Sequence, residues 1–408
     1  MSVPGGPSLV SDAAPRVEPW RPTVTGAAAP VAVGAALLCG IAGFASLSGD
    51  RSRLWADLLV GGFYFLSLGL AGVLFLAIQY LSRAGWWVVI RRVPEAMAAF
   101  VPLGGGLMLA LYFGRVELYA WARPVTAAVG TLAESKRTYL SAGPFFVRKL
   151  LIVVLWSALA LWLRSASRRQ EREPGLAAHR RLVRASAVFV VCFAVSFSIA
   201  SFDWLMSLDP RWYSTIFAVY AFAGLLLSGT AAITLAVVVL SSSGMRRGPL
   251  AGVVSASHLH DLGKLLFAFG TFWAYIWVSQ YLLIWYSNIP EEVTFYLART
   301  RGGFAAPFFA VLALEWIVPF LALMTRAAKR DPRILAGVSA LILAGHWLDL
   351  YVLVAPPVLG RVRLGLPEVL LTAGYAGLFL AVAGRAFART PLLARNDPFL
   401  EESLRHHQ

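Results

Sequence analysis

Four ionisable side chains, Asp203, Glu315, His346 and Asp349, lie inside long apolar stretches of the sequence. Such a group costs about 2.5–3.5 kcal/mol at the centre of a bilayer, so its presence calls for a role. His346 and Asp349 are three residues apart, a spacing that puts both on one face of a helix. An imidazole exchanges protons near neutral pH. A carboxylate beside it can fix its tautomer and take the proton on. Glu315 falls near the middle of a second stretch and Asp203 near the outer end of a third. Tyr275 and Gln280 add polar groups to a fourth. The chemistry these residues suit is a proton path or a quinone headgroup site. The competing role is structural, a polar cluster that fastens helices together by hydrogen bonds.

A second group precedes the fourth stretch: His258, His260, Asp261 and Lys264. Two His and an Asp within four residues suggest a metal, yet no further ligand motif follows at a recognised spacing. We expect a solvated helix start, with Asp261 complementing the positive end of the helix dipole. Proton entry at an inner mouth is its candidate role. No catalytic residue and no metal ligand is assigned. Cys39 and Cys192 sit in separate apolar runs and cannot make a four-Cys cluster. A bis-His haem needs paired His on facing spans, and of the six His only His346 falls within one. The sequence also has no Gly-rich nucleotide motif, so no redox cofactor is expected in this chain.

The elements that must hold these residues follow from composition. The chain has 408 residues, 59% hydrophobic and only 14% charged, where soluble domains carry about 25% charged residues. Lipid is its natural solvent. Ten stretches are long enough to span: 27–47, 57–81, 95–113, 144–163, 185–206, 214–240, 263–286, 305–325, 334–356 and 368–388. In lipid every backbone group needs an internal partner, so each is a helix. The third is the most irregular, broken by Pro102 and Gly104–Gly106. The net charge of +15 points away from nucleic acid, because 23 of the 36 Lys and Arg fall in the tails and in alternate loops. The positive-inside bias then puts both termini in the cytoplasm, which agrees with an even number of spans. Residues 1–26 and 391–408 read as cytoplasmic tails around a 27–390 membrane domain. The 114–143 connection is the longest loop, expected outside. Asp203 in FDWL at 202–205 and Asp349 in HWLDL at 346–350 lie in similar Trp/Leu contexts four helices apart. That hints at two successive four-helix bundles, with the first and tenth helices outside them.

Several long strings carry a resemblance: SFDWLMSLDPRWYSTIF at 201–217, HLHDLGKLLFAF at 258–269, QYLLIWY at 280–286 and NIPEE at 288–292. FYFL at 63–66, RRVPE at 91–95 and NDPFLEESL at 396–404 extend it over most of the chain after residue 55. These strings resemble the F subunit (ActF) of alternative complex III, within the NrfD/PsrC-like membrane proteins. The resemblance implies ten helices in two four-helix bundles in a bacterial inner membrane. It implies a place in a quinol:cytochrome c-type oxidoreductase complex, beside a sister quinone-site membrane subunit and iron–sulfur and multihaem cytochrome c subunits. The chain itself would hold no redox cofactor. It would contribute quinone binding (menaquinone or ubiquinone), a proton path, or both. Carried onto this sequence, the path residues are Asp203, Glu315, His346 and Asp349, with His258, His260, Asp261 and Lys264 at the inner mouth. Two alternatives stay open: a secondary transporter, which also uses repeated bundles and broken helices, and a structural anchor for a peripheral oxidoreductase.

Overall fold

A computed structural model describes residues 28–123, 134–172, 176–242, 248–394 and 396–407; burial is described from residue 30. Among these residues there are helices and no strands, and ten helices are long and apolar enough to cross a membrane. We number them α1 (Ala28–Leu47), α2 (Arg51–Leu81), α3 (Val88–Leu118), α4 (Ala142–Gln170) and α5 (Leu176–Trp204). Then come α6 (Phe217–Ser241), α7 (Ala256–Ser287), α8 (Ala305–Ala322), α9 (Pro332–Leu359) and α10 (Leu366–Ala388). The face where α1 begins and α10 ends is called here the terminal face, and the other the distal face.

The spans group as expected. Helices α2–α5 form one bundle and α6–α9 a second, while α1 packs mainly on α10 at the side. Helix α2 joins the two bundles, touching α5 on one flank and α6 and α9 on the other. Its apolar stretch is 94% buried against 17% for α1. A helix apolar on every side is what a central position requires. The α1–α10 contact uses small residues: a Cβ on Gly40 would lie 2.5 Å from the Gly374 Cα, and one on Gly377 would lie 2.8 Å from the Ala36 Cβ. With no hydrophobic drive between helices in lipid, close backbone approach supplies the attraction.

The irregular third span is longer than its apolar core. It runs as α-helix with 3-10 turns at Ala98–Phe100 and Leu111–Gly114. Pro102 sits in the first turn of the Val101–Ala110 segment, where its missing N–H is tolerated. Gly105 admits α4, since a Cβ there would meet Val153 at 2.6 Å. Pro and Gly therefore serve packing in α3. Of the 114–143 connection, 124–133 lie outside the described residues.

The C-terminal segment packs against the rest of the molecule. Asp397 bonds the buried Arg91 at 2.7 Å, and Ser403 donates to the Trp86 carbonyl at 2.6 Å. Arg91 also reaches Glu95 at 2.8 Å, Gln170 at 2.8 Å and the Ser167 hydroxyl at 2.6 Å. The segment is thus stapled to the terminal face by a buried polar network.

Candidate functional site

The site forms where α6, α8 and α9 meet inside the second bundle. Helix α8 changes character at Ala313–Ile317, which is a π turn. The cause is local. Pro319, four residues after Glu315, has no N–H to give the Glu315 carbonyl, so the regular ladder fails there. The wider turn takes over, with Val318 N–H donating to Ala313. Such turns often occur at functional sites. Here it carries Glu315 into the bundle interior, fully buried.

His346 and Asp349 project from α9 towards it. The His346 Nδ1 lies 3.5 Å from the Glu315 Oε1 and 3.9 Å from the Asp349 Oδ2. Tyr220 on α6 donates its hydroxyl to the Asp349 Oδ1 at 2.5 Å. The Tyr64 ring of α2 covers the imidazole, with centroids 5.9 Å apart. Neither carboxylate oxygen of Glu315 and neither ring nitrogen of His346 has a hydrogen-bond partner within the protein. Burying such groups unsatisfied is costly, so bare packing is a poor account of them.

Three glycines make the room. A Cβ on Gly224 of α6 would lie 2.4 Å from the His346 Cε1. One on Gly345 of α9 would lie 2.9 Å from the Glu315 Cγ, and one on Gly270 of α7 would lie 3.3 Å from the Glu315 carbonyl oxygen. At these three points α6, α9 and α7 give up a side chain to the cluster, while α2 meets it with the Tyr64 ring.

One imidazole nitrogen and two carboxylate oxygens of this triad lie within 4.8 Å of one another, a spacing that could hold a cation. The same arrangement passes a proton over short steps. A narrow cleft about one water wide reaches Asp349 from the distal side, between Tyr220, Gln280, Tyr296 and Arg299. On the terminal side, a cleft between α2, α6 and α7 includes Gln79 and Thr230 among apolar residues. Ser339, two turns below His346 on α9, is buried with an unpartnered hydroxyl.

Asp203 is placed elsewhere. It is buried in the first bundle and accepts from the Arg148 Nε at 2.7 Å. Neighbouring positions on α2 mark the divide: Phe63 touches Trp204, and Tyr64 touches His346. The expected four-residue path is thus a triad plus a separate salt bridge. Tyr275 is 66% exposed and faces away from the bundle. Gln280 is buried, with its Nε2 unpartnered, beside the distal cleft.

The group on α7 is brought together, but the expected solvated helix start is corrected. His258 is fully buried and closes a capping box, its Nδ1 accepting from the Ser255 N–H at 3.0 Å. Asp261 is 7% exposed and bridges Lys264 and the His406 Nε2, both at 2.6 Å. The physical reason is the C-terminal segment. It folds over this mouth and brings His406 within 5.2 Å of the His258 ring. His260 is half-buried at the edge. Sequence reasoning missed His406, because it assigned 391–408 only as a tail and gave it no contacts. It missed Arg299 as one loop cation among many. The signal for Arg299 was its place four residues after Phe295 in an amphipathic helix, Pro290–Thr300. No family model and no curated protein matches this chain. Among the described residues, the molecule shows ten helices long and apolar enough to cross a membrane, as in a multi-pass membrane protein, with a buried titratable triad between its two faces.

Proposed function

We propose that this chain is the F-type membrane subunit of a quinol:cytochrome c-type oxidoreductase complex of the alternative complex III kind, and that it supplies a transmembrane proton path. The observation that carries the path is the Glu315–His346–Asp349 triad, buried at mid-span, with Glu315 and His346 lacking hydrogen-bond partners and Asp349 bonded by Tyr220. Polar residues continue to both faces. His406, Asp261 and Lys264 stand at the terminal mouth, read as cytoplasmic. Ser339 and Thr230 follow towards the centre. Tyr220, Gln280 and Arg299 lead from Asp349 to the distal side. Two carboxylates around one imidazole are suited to share and pass one proton.

The cleft beside Asp349 has room for about one water, and we read the triad as moving protons rather than holding a quinone headgroup. Membership in the complex is supported by the sequence strings. Iron–sulfur and multihaem cytochrome subunits, with a sister membrane subunit, would then carry the electrons and the quinol. A transporter reading is favoured by one observation, the π turn and Pro319 that interrupt α8 at Glu315.

Two experiments test this. A tagged chain is purified gently from native membranes and read by mass spectrometry and a reduced-minus-oxidised haem spectrum. Co-purifying c-type haem and iron–sulfur subunits support the complex; a chain that elutes alone and colourless, while other respiratory complexes stay intact, favours the transporter. In the assembled complex, Asp349→Asn and His346→Phe are expected to stop proton movement. If both leave proton movement and quinol turnover unchanged, the triad is structural.

A further inference from the structure

Arg299 lies on the helix Pro290–Thr300 at the distal face and is buried, with 6% of its surface exposed. Its guanidinium sits 3.4 Å over the Phe295 ring. Its two terminal nitrogens donate to the Phe295 and Leu353 carbonyls, both at 2.9 Å. These are neutral acceptors. Among the described residues no carboxylate lies within 4.0 Å, and Nε has no partner. Burial pulls its pKa down to about 10, which leaves it cationic at neutral pH. It lines the cleft that ends at Asp349 and a second cleft that ends at Asp209. Tyr220 and Tyr296 are the other titratable groups facing the first cleft.

A buried cation with no carboxylate in contact, and with Asp209 and Asp349 acting on it only from a distance, is expensive. Held by a stacked ring and two carbonyls, it is a fixed positive charge. We propose that Arg299 is the electrostatic barrier of the distal half-path, keeping protons from returning to Asp349. This rests on the proton-path reading above. A fixed charge near the exit lowers proton occupancy of the cleft. The charge raises the barrier for passage in either direction, so undriven entry from the distal bulk is slowed, while release from Asp349 is pushed over the same barrier by the energy of turnover. Positive groups exclude protons and cations from membrane pores in the same way. One unit charge at about 10 Å, in a medium of effective permittivity near 20, changes that occupancy on the order of tenfold.

The test uses native membrane vesicles carrying the full chain in its assembly. The distal side receives an acid pulse without substrate, and an internal dye reads proton entry. Arg299→Gln is expected to leak about tenfold faster than the parent, and Arg299→Lys to stay near it. Adding Asp349→Asn to Arg299→Gln should return the leak to the parent level. A tight Arg299→Gln overturns the barrier role, and the path reading still stands if Asp349→Asn alone stops driven transport. A leak that persists in the double variant marks general damage and also overturns it. So does an Arg299→Lys that leaks like Arg299→Gln. If Asp349→Asn alone leaves driven proton movement intact, the path reading fails and the barrier with it. Should Arg299→Gln not accumulate, Arg299→His serves: tight at pH 6 and leaky at pH 8 supports the barrier, and equal leaks at both overturn it.

Discussion

The space around His346 makes a sharp prediction at Gly224. An alanine there would put its methyl 2.4 Å from the His346 Cε1 and 3.0 Å from its Nδ1. Carbon contacts settle at about 3.5–4.0 Å, so the ring must retreat by roughly 1 Å. It has little room, because Tyr64 lies over it and Glu315 stands 3.5 Å away on the Nδ1 edge. Overpacking of this kind costs about 1–3 kcal/mol. At a few degrees per kcal/mol, the solubilised protein should lose several degrees of apparent thermal stability. Proton movement should fall too, since a 1 Å shift alters the short contacts to Glu315 and Asp349. The double variant Gly224→Ala with His346→Ala isolates the cause. Removing the ring frees the space, so the methyl should add almost no further loss of stability on that background. If Gly224→Ala keeps the stability and proton movement of the parent, the close approach does not hold the ring in place. If the double variant loses as much as the two single changes together, the methyl acts elsewhere.

Other outcomes follow from named contacts. Tyr220→Phe removes the hydroxyl that donates to Asp349 at 2.5 Å, and should cost about 1.5–3 kcal/mol of stability, read by thermal unfolding, together with slower proton movement in vesicles. His406→Ala deletes the group that covers Asp261 at 2.6 Å. Proton uptake from the terminal side should slow several-fold at pH 7 with assembly unchanged, and unaltered uptake would remove His406 from the mouth. Asp397→Asn weakens the Arg91 pair at 2.7 Å yet leaves Glu95, so we expect a loss of about 1–3 kcal/mol and faster proteolysis of the C-terminal segment. Dialysis against a chelator should leave proton movement intact, and a metal-dependent loss would make the triad a cation site.

The spans were legible because lipid imposes a single solution, the helix, on any long apolar stretch. His346, Glu315 and Asp349 stood out for the same reason, as ionisable groups where few are tolerated. The glycines around them did not. Gly224, Gly270 and Gly345 look like any small residues of membrane helices until three different elements converge on one volume. Arg299 was hidden by counting: a loop cation adds one to a tally, whereas its burial depends on Leu353 of α9, 54 residues away. The contacts of the tail were not legible because its anchors are long-range. Asp397 and Arg91 are 306 residues apart, and neither is unusual alone. Composition speaks to what a segment can bury locally and is silent on a partner supplied by another element.

The hinted repeat ends in a contrast that can be tested. Both bundles place an Asp on their last helix, with different partners. Asp349 faces groups that trade protons, a phenol, an imidazole and a second carboxylate. Asp203 faces Arg148, a permanent cation. Asp203 is thus held in a salt bridge, where Asp349 stands among the groups of the proposed proton path. Asp203→Asn should therefore act on stability and leave proton movement alone. It strips the counter-charge from Arg148, whose side chain is 21% exposed, beside the buried Lys149 amine. Breaking a buried pair from one side costs about 3–5 kcal/mol, and partial exposure of Arg148 places the loss at the lower end. Assembled protein should fall, while proton movement per assembled complex stays within twofold of the parent. A variant that assembles fully and yet stops proton movement would put Asp203 back in the path and make the two bundles functional equals.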